Sequence, residues 1–332
     1  MSDVAVLGAG SWGTVLADLL VRRGHAVTLW AFEADVADAI TRHHENPVYL
    51  PDVQLAPGLR ASTDAGAVVR DAPVICAVVP SHAWRTVLGR VAPDIRSDAR
   101  IVCATKGIET ETLKLMGQVA ADILPDAPFV ALSGPSFAEE VQACQPTAVV
   151  AASANAAAAS EAQRLFSTPH FRVYSSDDVT GVMLGGSLKN TIAIAAGMID
   201  GLGLGSNPRA ALLTRGLAEI ARLGHALGAR TETFAGLAGM GDLILTCTGA
   251  LSRNRQLGVA LAAGTTLAEF QATHRVVIEG VNTALAASRL AARHGVDMPI
   301  TRQVAAILFE GVSPREAIQT LMERTLKPER WG

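Results

Sequence analysis

An apolar run at residues 4–7 leads directly into Gly8-Ala9-Gly10-Ser11-Trp12-Gly13, which opens a helical pattern closed by Gly24, and residues 25–30 then form a second strand-like run. Few folds accept that order. Gly8 permits the sharp reversal out of a strand, Gly10 lets the backbone approach an anion, and Gly13 lets the helix lie close against the sheet. The helix N-terminus faces whatever the turn holds, so the motif predicts a site for a dinucleotide pyrophosphate. A plain glycine turn would not require a strand before it, a helix after it and another strand on schedule.

The alternation continues to about residue 175. Strands are expected near 3–7, 26–30, 74–79, 100–104, 129–132, 147–151 and 171–174, with helices near 11–22, 34–43, 82–90, 110–122, 136–142 and 156–166. Strands and helices taking turns predict a parallel sheet covered on both faces, a Rossmann-type doubly wound domain. Asn155 is read as the N-cap of the Ala-rich helix that follows it. After Tyr174 the strand signals stop. Ser176, Asp177 and Asp178 offer a cap to a long helix running past Lys189 to about Met198, and helical periods recur at 208–227, 253–263, 282–294, 301–309 and 314–322. Ser313, Pro314 and Glu316 form a capping box before the last of these. The expected organisation is α/β: a dinucleotide-binding domain over 1–177, then an all-α domain over 178–332 for substrate and catalysis. The tail from Lys327 is expected to be poorly ordered.

Of the 332 residues 49 % are hydrophobic, enough to fill two cores, and 28 basic residues nearly balance 31 acidic ones. No basic block suggests a nucleic-acid partner. Cys76, Cys103, Cys144 and Cys247 lie far apart without metal-ligand spacing, and His43-His44 lacks a third ligand, so no metal is expected. The start of the chain has no charged leader pattern, and no long apolar segment is free of Gly, Pro and charge. A cytoplasmic protein without a membrane span is the expectation.

Several residues could carry chemistry. Lys106, in Thr105-Lys106-Gly107, follows a strand and so sits at the carboxyl edge of the sheet, where open α/β folds bind ligands; alternatively it is an ordinary loop lysine. Ser133-Gly134-Pro135-Ser136-Phe137 also follows a strand, with Ser136 and Glu139 spaced as a capping box. Lys189 lies on the long helix. Leu184, Leu188, Ile192, Ala195 and Ile199 make its bulky stripe, while Gly185, Gly186, Lys189, Ala193 and Ala196 make one nearly free of side chains. Either that stripe leaves room for a ligand beside a desolvated amine able to exchange a proton near neutral pH, or Lys189 snorkels over a packing face. Asp242 ends a glycine-rich run and is either a buried acid or the cap of a helix starting at Leu243. Ser252-Arg253-Asn254-Arg255 joins an N-cap, two guanidinium groups and backbone amides, the makings of a phosphate site; otherwise both arginines are solvated charges. At the end of the second strand, Glu33 either faces a ribose 2′-hydroxyl or begins the next helix.

Together, Gly8-Ala9-Gly10-Ser11-Trp12-Gly13, Ala104-Thr105-Lys106-Gly107, Ser133-Gly134-Pro135-Ser136-Phe137-Ala138, Gly186-Ser187-Leu188-Lys189-Asn190, Gly241-Asp242-Leu243, Ser252-Arg253-Asn254-Arg255 and Val277-Ile278-Glu279-Gly280 resemble the bacterial NAD(P)-dependent glycerol-3-phosphate dehydrogenases. The resemblance runs nearly end to end. It implies reversible hydride transfer between a nicotinamide and carbon 2 of the substrate, interconverting sn-glycerol 3-phosphate and dihydroxyacetone phosphate and feeding phospholipid synthesis. By position it implies that Lys189 is the general acid/base, with Lys106 adding positive charge. Asn190, Asp242 and Thr246 would order the lysines and the substrate hydroxyls, and Ser252, Arg253 and Asn254 would hold the phosphate. Ser11, Trp12, Lys106, Ala138, Arg253, Val277 and Glu279 match cofactor contacts, and Gly134 and Ser136 match substrate contacts. Many relatives carry Arg or His where this chain has Phe32, which leaves the choice between NADH and NADPH to Phe32 and Glu33. A homodimer is expected from the resemblance alone. Two rival readings are a dehydrogenase of another small phosphorylated or acidic hydroxy compound, and a dinucleotide-binding redox sensor without catalysis.

Overall fold

The computed structural model describes residues 2–273, 277–326 and 328–329. The described chain falls into two compact units. The first runs to Thr105 and resumes over Met116–Val179; the second takes Lys106–Leu115 and the chain from Thr180 onward.

The first unit holds the strands β1 (Asp3–Leu7), β2 (Ala26–Trp30), β3 (Arg60–Ser62), β4 (Val74–Ala77), β5 (Arg100–Cys103), β6 (Phe129–Ser133), β7 (Thr147–Ala152) and β8 (Phe171–Ser176), in the sheet order β3-β2-β1-β4-β5-β6-β7-β8. Its helices are α1 (Ser11–Arg22), α2 (Ala34–His43), α3 (Ala65–Val69), α4 (Trp84–Val91), α5 (Met116–Ile123), α6 (Ala138–Gln142) and α7 (Ala156–Phe166). The chain moves outward from β1 in both directions, which makes the end of β1 a switch point, the place where such sheets bind ligands. All of β4 is buried, as expected of a strand covered on both faces.

Three expectations need correction here. β7 runs antiparallel to β6, because the link between them holds only the five-residue α6 rather than a full crossover helix. The helix expected over 110–122 begins only at Met116; the preceding stretch turns back on itself, with Leu113 left-handed at φ 64 and an antiparallel bridge between Ile108 and Leu115. Ser136 and Glu139 form no capping box: the N-cap of α6 is Phe137, without a side-chain cap bond, and the Ser136 hydroxyl donates to the Gly134 carbonyl at 3.0 Å. Asn155 does cap α7, accepting from the amides of Ala157 and Ala158. Strand β3 and helix α3, three and five residues long, are too short to leave a period in the sequence.

The second unit is helical: α8 (Val179–Gly201), α9 (Ser206–Ala226), α10 (Thr231–Ala235), a π-helical turn (Leu237–Gly241), α11 (Asp242–Thr248), α12 (Arg253–Ala262), α13 (Leu267–Thr273), α14 (Glu279–Arg293), α15 (Pro299–Phe309) and α16 (Pro314–Met322). Helix α8 is long and apolar enough to cross a membrane, yet 94 % of its apolar window is buried inside the protein. Its small residues explain how. A Cβ on Gly185 would strike the Ala238 carbonyl, and one on Gly197 would strike the Arg255 carbonyl, so neighbouring backbone packs directly on the helix at these two glycines. The capping box of α16 forms as expected, Ser313 accepting from the Glu316 amide and Glu316 from the Ser313 amide. The expected loose tail falls largely outside the described residues.

Candidate active site

In the second unit, α8 carries Lys189 to a position where it is 7 % exposed, an unusual depth for an ammonium group. What offsets the cost of that depth is Asp242, itself fully buried at the start of α11. One carboxylate oxygen, Oδ1, accepts from Lys189 Nζ; the other, Oδ2, accepts from Lys106 Nζ at 2.6 Å. Lys189 also donates to Thr246 Oγ1 at 2.7 Å, while that hydroxyl donates to the Asp242 carbonyl at 2.6 Å. Two of the three Lys189 protons are thereby assigned, which fixes the direction of the third. Burial, opposed by Asp242 and reinforced by the Lys106 cation, lowers the Lys189 ammonium to about 8. Such an amine can lose and regain a proton at neutral pH. Asp242 is therefore the acid shared by two lysines and not a helix cap, since α11 has Gly241 as N-cap and no side-chain cap bond.

Asn190, next to Lys189, is also buried, and its Oδ1 accepts from Asn254 Nδ2 at 3.0 Å. Asn254 Oδ1 in turn accepts from the Gly280 amide at 3.0 Å, tying together α8, α12 and α14. Ser252 caps α12 by accepting from the Arg255 amide, as its spacing predicts. Arg253 is exposed at the first position of α12. Arg255, for which the sequence offers a solvated or a phosphate-binding role, donates instead to Asp200 Oδ2 at 2.7 Å. Glu279 opens α14, and Val277 lies exposed two residues before it.

The first unit carries the remaining predicted residues. Gly8 has φ +113, and a Cβ there would come within 3.1 Å of the backbone of Val78 and Val79; one on Gly13 would strike the Gly8 carbonyl. At Gly10 a Cβ would meet nothing within 4 Å. No side chain caps α1, whose N-cap is Gly10. A tight turn, a close helix–strand contact and an open face before a helix N-terminus fit a dinucleotide pyrophosphate. Ser11 donates to the Tyr49 carbonyl, and Trp12 packs at 6.2 Å from the Phe171 ring. Ala138 is buried at the start of α6, and Gly134 has φ +150 with Val149 Cα 2.8 Å from where a Cβ would be. Phe32 is 78 % exposed, edge-on to Trp30. Glu33 is the N-cap residue of α2, yet its carboxylate does not cap the helix; it accepts from the Tyr49 hydroxyl at 2.7 Å.

Sequence reasoning misses the residues that brace this loop. Buried Asn46 donates to the Ala9 carbonyl and to Thr14 Oγ1, both at 2.8 Å, and accepts from the Tyr49 amide at 3.1 Å. Asn46-Pro47 marks a turn in the sequence, but nothing local says which distant loop the amide serves.

Residues 3–159 match the family model for the N-terminus of NAD-dependent glycerol-3-phosphate dehydrogenase, and residues 178–319 match the model for its C-terminus. A glycerol-3-phosphate dehydrogenase [NAD(P)+] of Geobacter sulfurreducens is 53 % identical over 99 % of both chains, and that of Nitratidesulfovibrio vulgaris is 51 % identical over 98 % of this chain and 99 % of the relative. The crystal structure of glycerol-3-phosphate dehydrogenase from Coxiella burnetii superposes with a TM-score of 0.94 at 44 % identity, covering 97 % of this chain and 99 % of that one. With both family models matched in order, and relatives this similar over nearly the whole length, the chain belongs to the NAD-dependent glycerol-3-phosphate dehydrogenase family.

Proposed function

We propose that this protein catalyses the reversible NAD(P)-dependent interconversion of sn-glycerol 3-phosphate and dihydroxyacetone phosphate, the first unit binding the dinucleotide and the second supplying the substrate site and the proton chemistry. The observation that carries this reading is the Lys189–Asp242–Lys106 group, two ammonium ions on one buried carboxylate.

When bound, the dinucleotide would supply the hydride that carbon 2 of the ketone gains, or accept the one that carbon 2 of the alcohol loses. In the reducing direction Lys189 gives its third proton to the oxygen on carbon 2 as the carbonyl becomes an alkoxide; in the oxidising direction the neutral amine removes that proton. Lys106 supplies a second positive charge where negative charge develops on oxygen. Asp242 and Thr246 hold Lys189 in one rotamer, and Asn190 orders the substrate hydroxyls. The phosphate is held at the N-terminus of α12 by Ser252, Arg253 and Asn254, where the helix terminus and the guanidinium charge favour an anion. Gly134 and Ser136 make further substrate contacts. Within the first unit the dinucleotide would be held by Gly8, Gly10, Ser11, Trp12, Gly13, Phe32, Glu33 and Ala138. Neither Phe32 nor Glu33 brings a positive charge for a 2′-phosphate, so both reduced dinucleotides belong in the test. The same reading makes the protein a cytoplasmic homodimer supplying glycerol 3-phosphate for phospholipid synthesis.

The test is a steady-state assay of dihydroxyacetone phosphate reduction with NADH and with NADPH, beside hydroxypyruvate and succinic semialdehyde. The phosphorylated ketone is expected to be turned over far faster than either. Equal rates on all three would remove the substrate assignment.

A further inference from the structure

Arg255 stands two residues beyond Arg253, in the segment to which the proposed function gives the substrate phosphate, and the role assigned to Arg255 rests on that reading. Its side chain is committed within the protein. Arg255 Nε donates to Asp200 Oδ2 at 2.7 Å, and Arg209 Nε donates to Asp200 Oδ1 at 3.0 Å, so each carboxylate oxygen serves one guanidinium. Asp200 lies near the C-terminal end of α8, Arg209 in the first part of α9 and Arg255 in the first turn of α12. The Asp200 side chain is only 9 % exposed, which strengthens both bonds relative to a surface pair.

Beside this ion cluster, α8 and α12 touch backbone to backbone. A Cβ on Gly258 would lie 2.9 Å from Gly197 Cα, and one on Gly197 would strike the Arg255 carbonyl. A glycine face sets how closely two helices approach, but with no side chains to interlock it resists sliding and rotation weakly. The Asp200–Arg255 bond supplies what the glycines lack: together with the Asn190–Asn254 bond it fixes where α12 sits along α8. The consequence falls at the other side of the same turn, where Asn254 meets Asn190 beside Lys189.

We propose that Arg255 and Asp200 are positioning residues that fix the N-terminus of α12 for the substrate phosphate, and that Arg255 is not itself a phosphate ligand. The two roles give opposite signs in one variant. If Arg255 bound phosphate, Asp200→Asn would release its guanidinium and lower the KM for dihydroxyacetone phosphate. As a positioning pair, Asp200→Asn raises that KM about tenfold with kcat changed less than about twofold, since a helix terminus displaced by a fraction of an ångström binds its anion poorly. Unphosphorylated dihydroxyacetone, which does not use the phosphate site, keeps its kcat/KM. Arg255→Met gives a rise in the same direction, and adding it to Asp200→Asn changes little further, as expected of two groups acting through one bond.

Arg255→Lys, which keeps a charge on Asp200, restores most of the wild-type KM and keeps the proposal testable should Asp200→Asn fold poorly. A lower or unchanged KM in Asp200→Asn, additive losses in the double variant, no recovery in Arg255→Lys, or a parallel loss with unphosphorylated dihydroxyacetone overturns it. Wild-type protein that turns over dihydroxyacetone phosphate no better than hydroxypyruvate or succinic semialdehyde overturns the functional reading itself, a separate result from any of these.

Discussion

Asp242 gives one carboxylate oxygen to each of two lysines, so a change at any member of the group is felt as a change in the proton affinity of Lys189. Burial lowers that affinity most; Asp242 raises it and Lys106 lowers it. Ketone reduction uses the ammonium form, so its rate is expected to fall as pH rises through about 8, and alcohol oxidation, which uses the amine, to rise over the same range. The variants then move in opposite senses. Lys106→Met removes a lowering influence and shifts the reduction limb to higher pH, while Asp242→Asn removes a raising one and shifts it lower. Both lose rate, but profiles of kcat/KM from about pH 6 to about pH 10 still report the direction. Shifts of one sign in both would assign the limb to some other group.

Among the elements, glycine decides both stability and legibility. In α8 an alanine at position 197 has the better helix propensity by about 1 kcal/mol, but its Cβ would strike the carbonyl of Arg255, and backbone cannot swing aside as a side chain can. Forcing an atom into such a contact costs about 1–3 kcal/mol or more, so Gly197→Ala is expected to lower Tm by several degrees. At Gly89, exposed in α4 with nothing within 4 Å of a Cβ, the same change is expected to raise stability by about 0.5–1 kcal/mol. Thermal unfolding of the two variants side by side checks the contrast, and equal shifts would refute the backbone-contact argument. The same physics sets what can be read from sequence. The glycine loop and the caps at Asn155, Ser252 and Ser313 are legible because each is a local pattern. The π-helical turn, α10 and α13 are not, because five to seven residues carry too little period to recognise. Lys189 and Asp242 are 53 residues apart, and Lys106 and Asp242 are 136 apart. No spacing rule joins them; the family resemblance names these residues, and only the fold gives the reason they act together.

At the scale of the whole molecule the buried charges weigh on folding. Two ammonium groups on one carboxylate leave a net positive charge in a place nearly closed to water, and Lys189 bears the cost. Its ordinary value of 10.5 drops to about 8 in the folded protein. Above 10.5 the amine is neutral both folded and unfolded, and its burial carries no charge penalty. As pH falls from 10.5 to 8 the unfolded chain takes up a proton that the native one does not, and stability declines; below 8 the penalty is complete, on the order of 3 kcal/mol. Lys189→Met removes that penalty and leaves Asp242 paired with Lys106, at the loss of hydrogen bonds worth roughly 1–3 kcal/mol together. The variant is therefore expected to lose turnover by orders of magnitude while unfolding at pH 7 no more easily than wild type. Raising the pH from 7 to about 9.5 should favour wild type relative to the variant, because only wild type has the buried Lys189 charge to lose over that range. Denaturant unfolding of both proteins at the two pH values measures this. A variant much less stable at pH 7, with the gap independent of pH, would mean that the lysine supports the fold and carries no strain on behalf of catalysis.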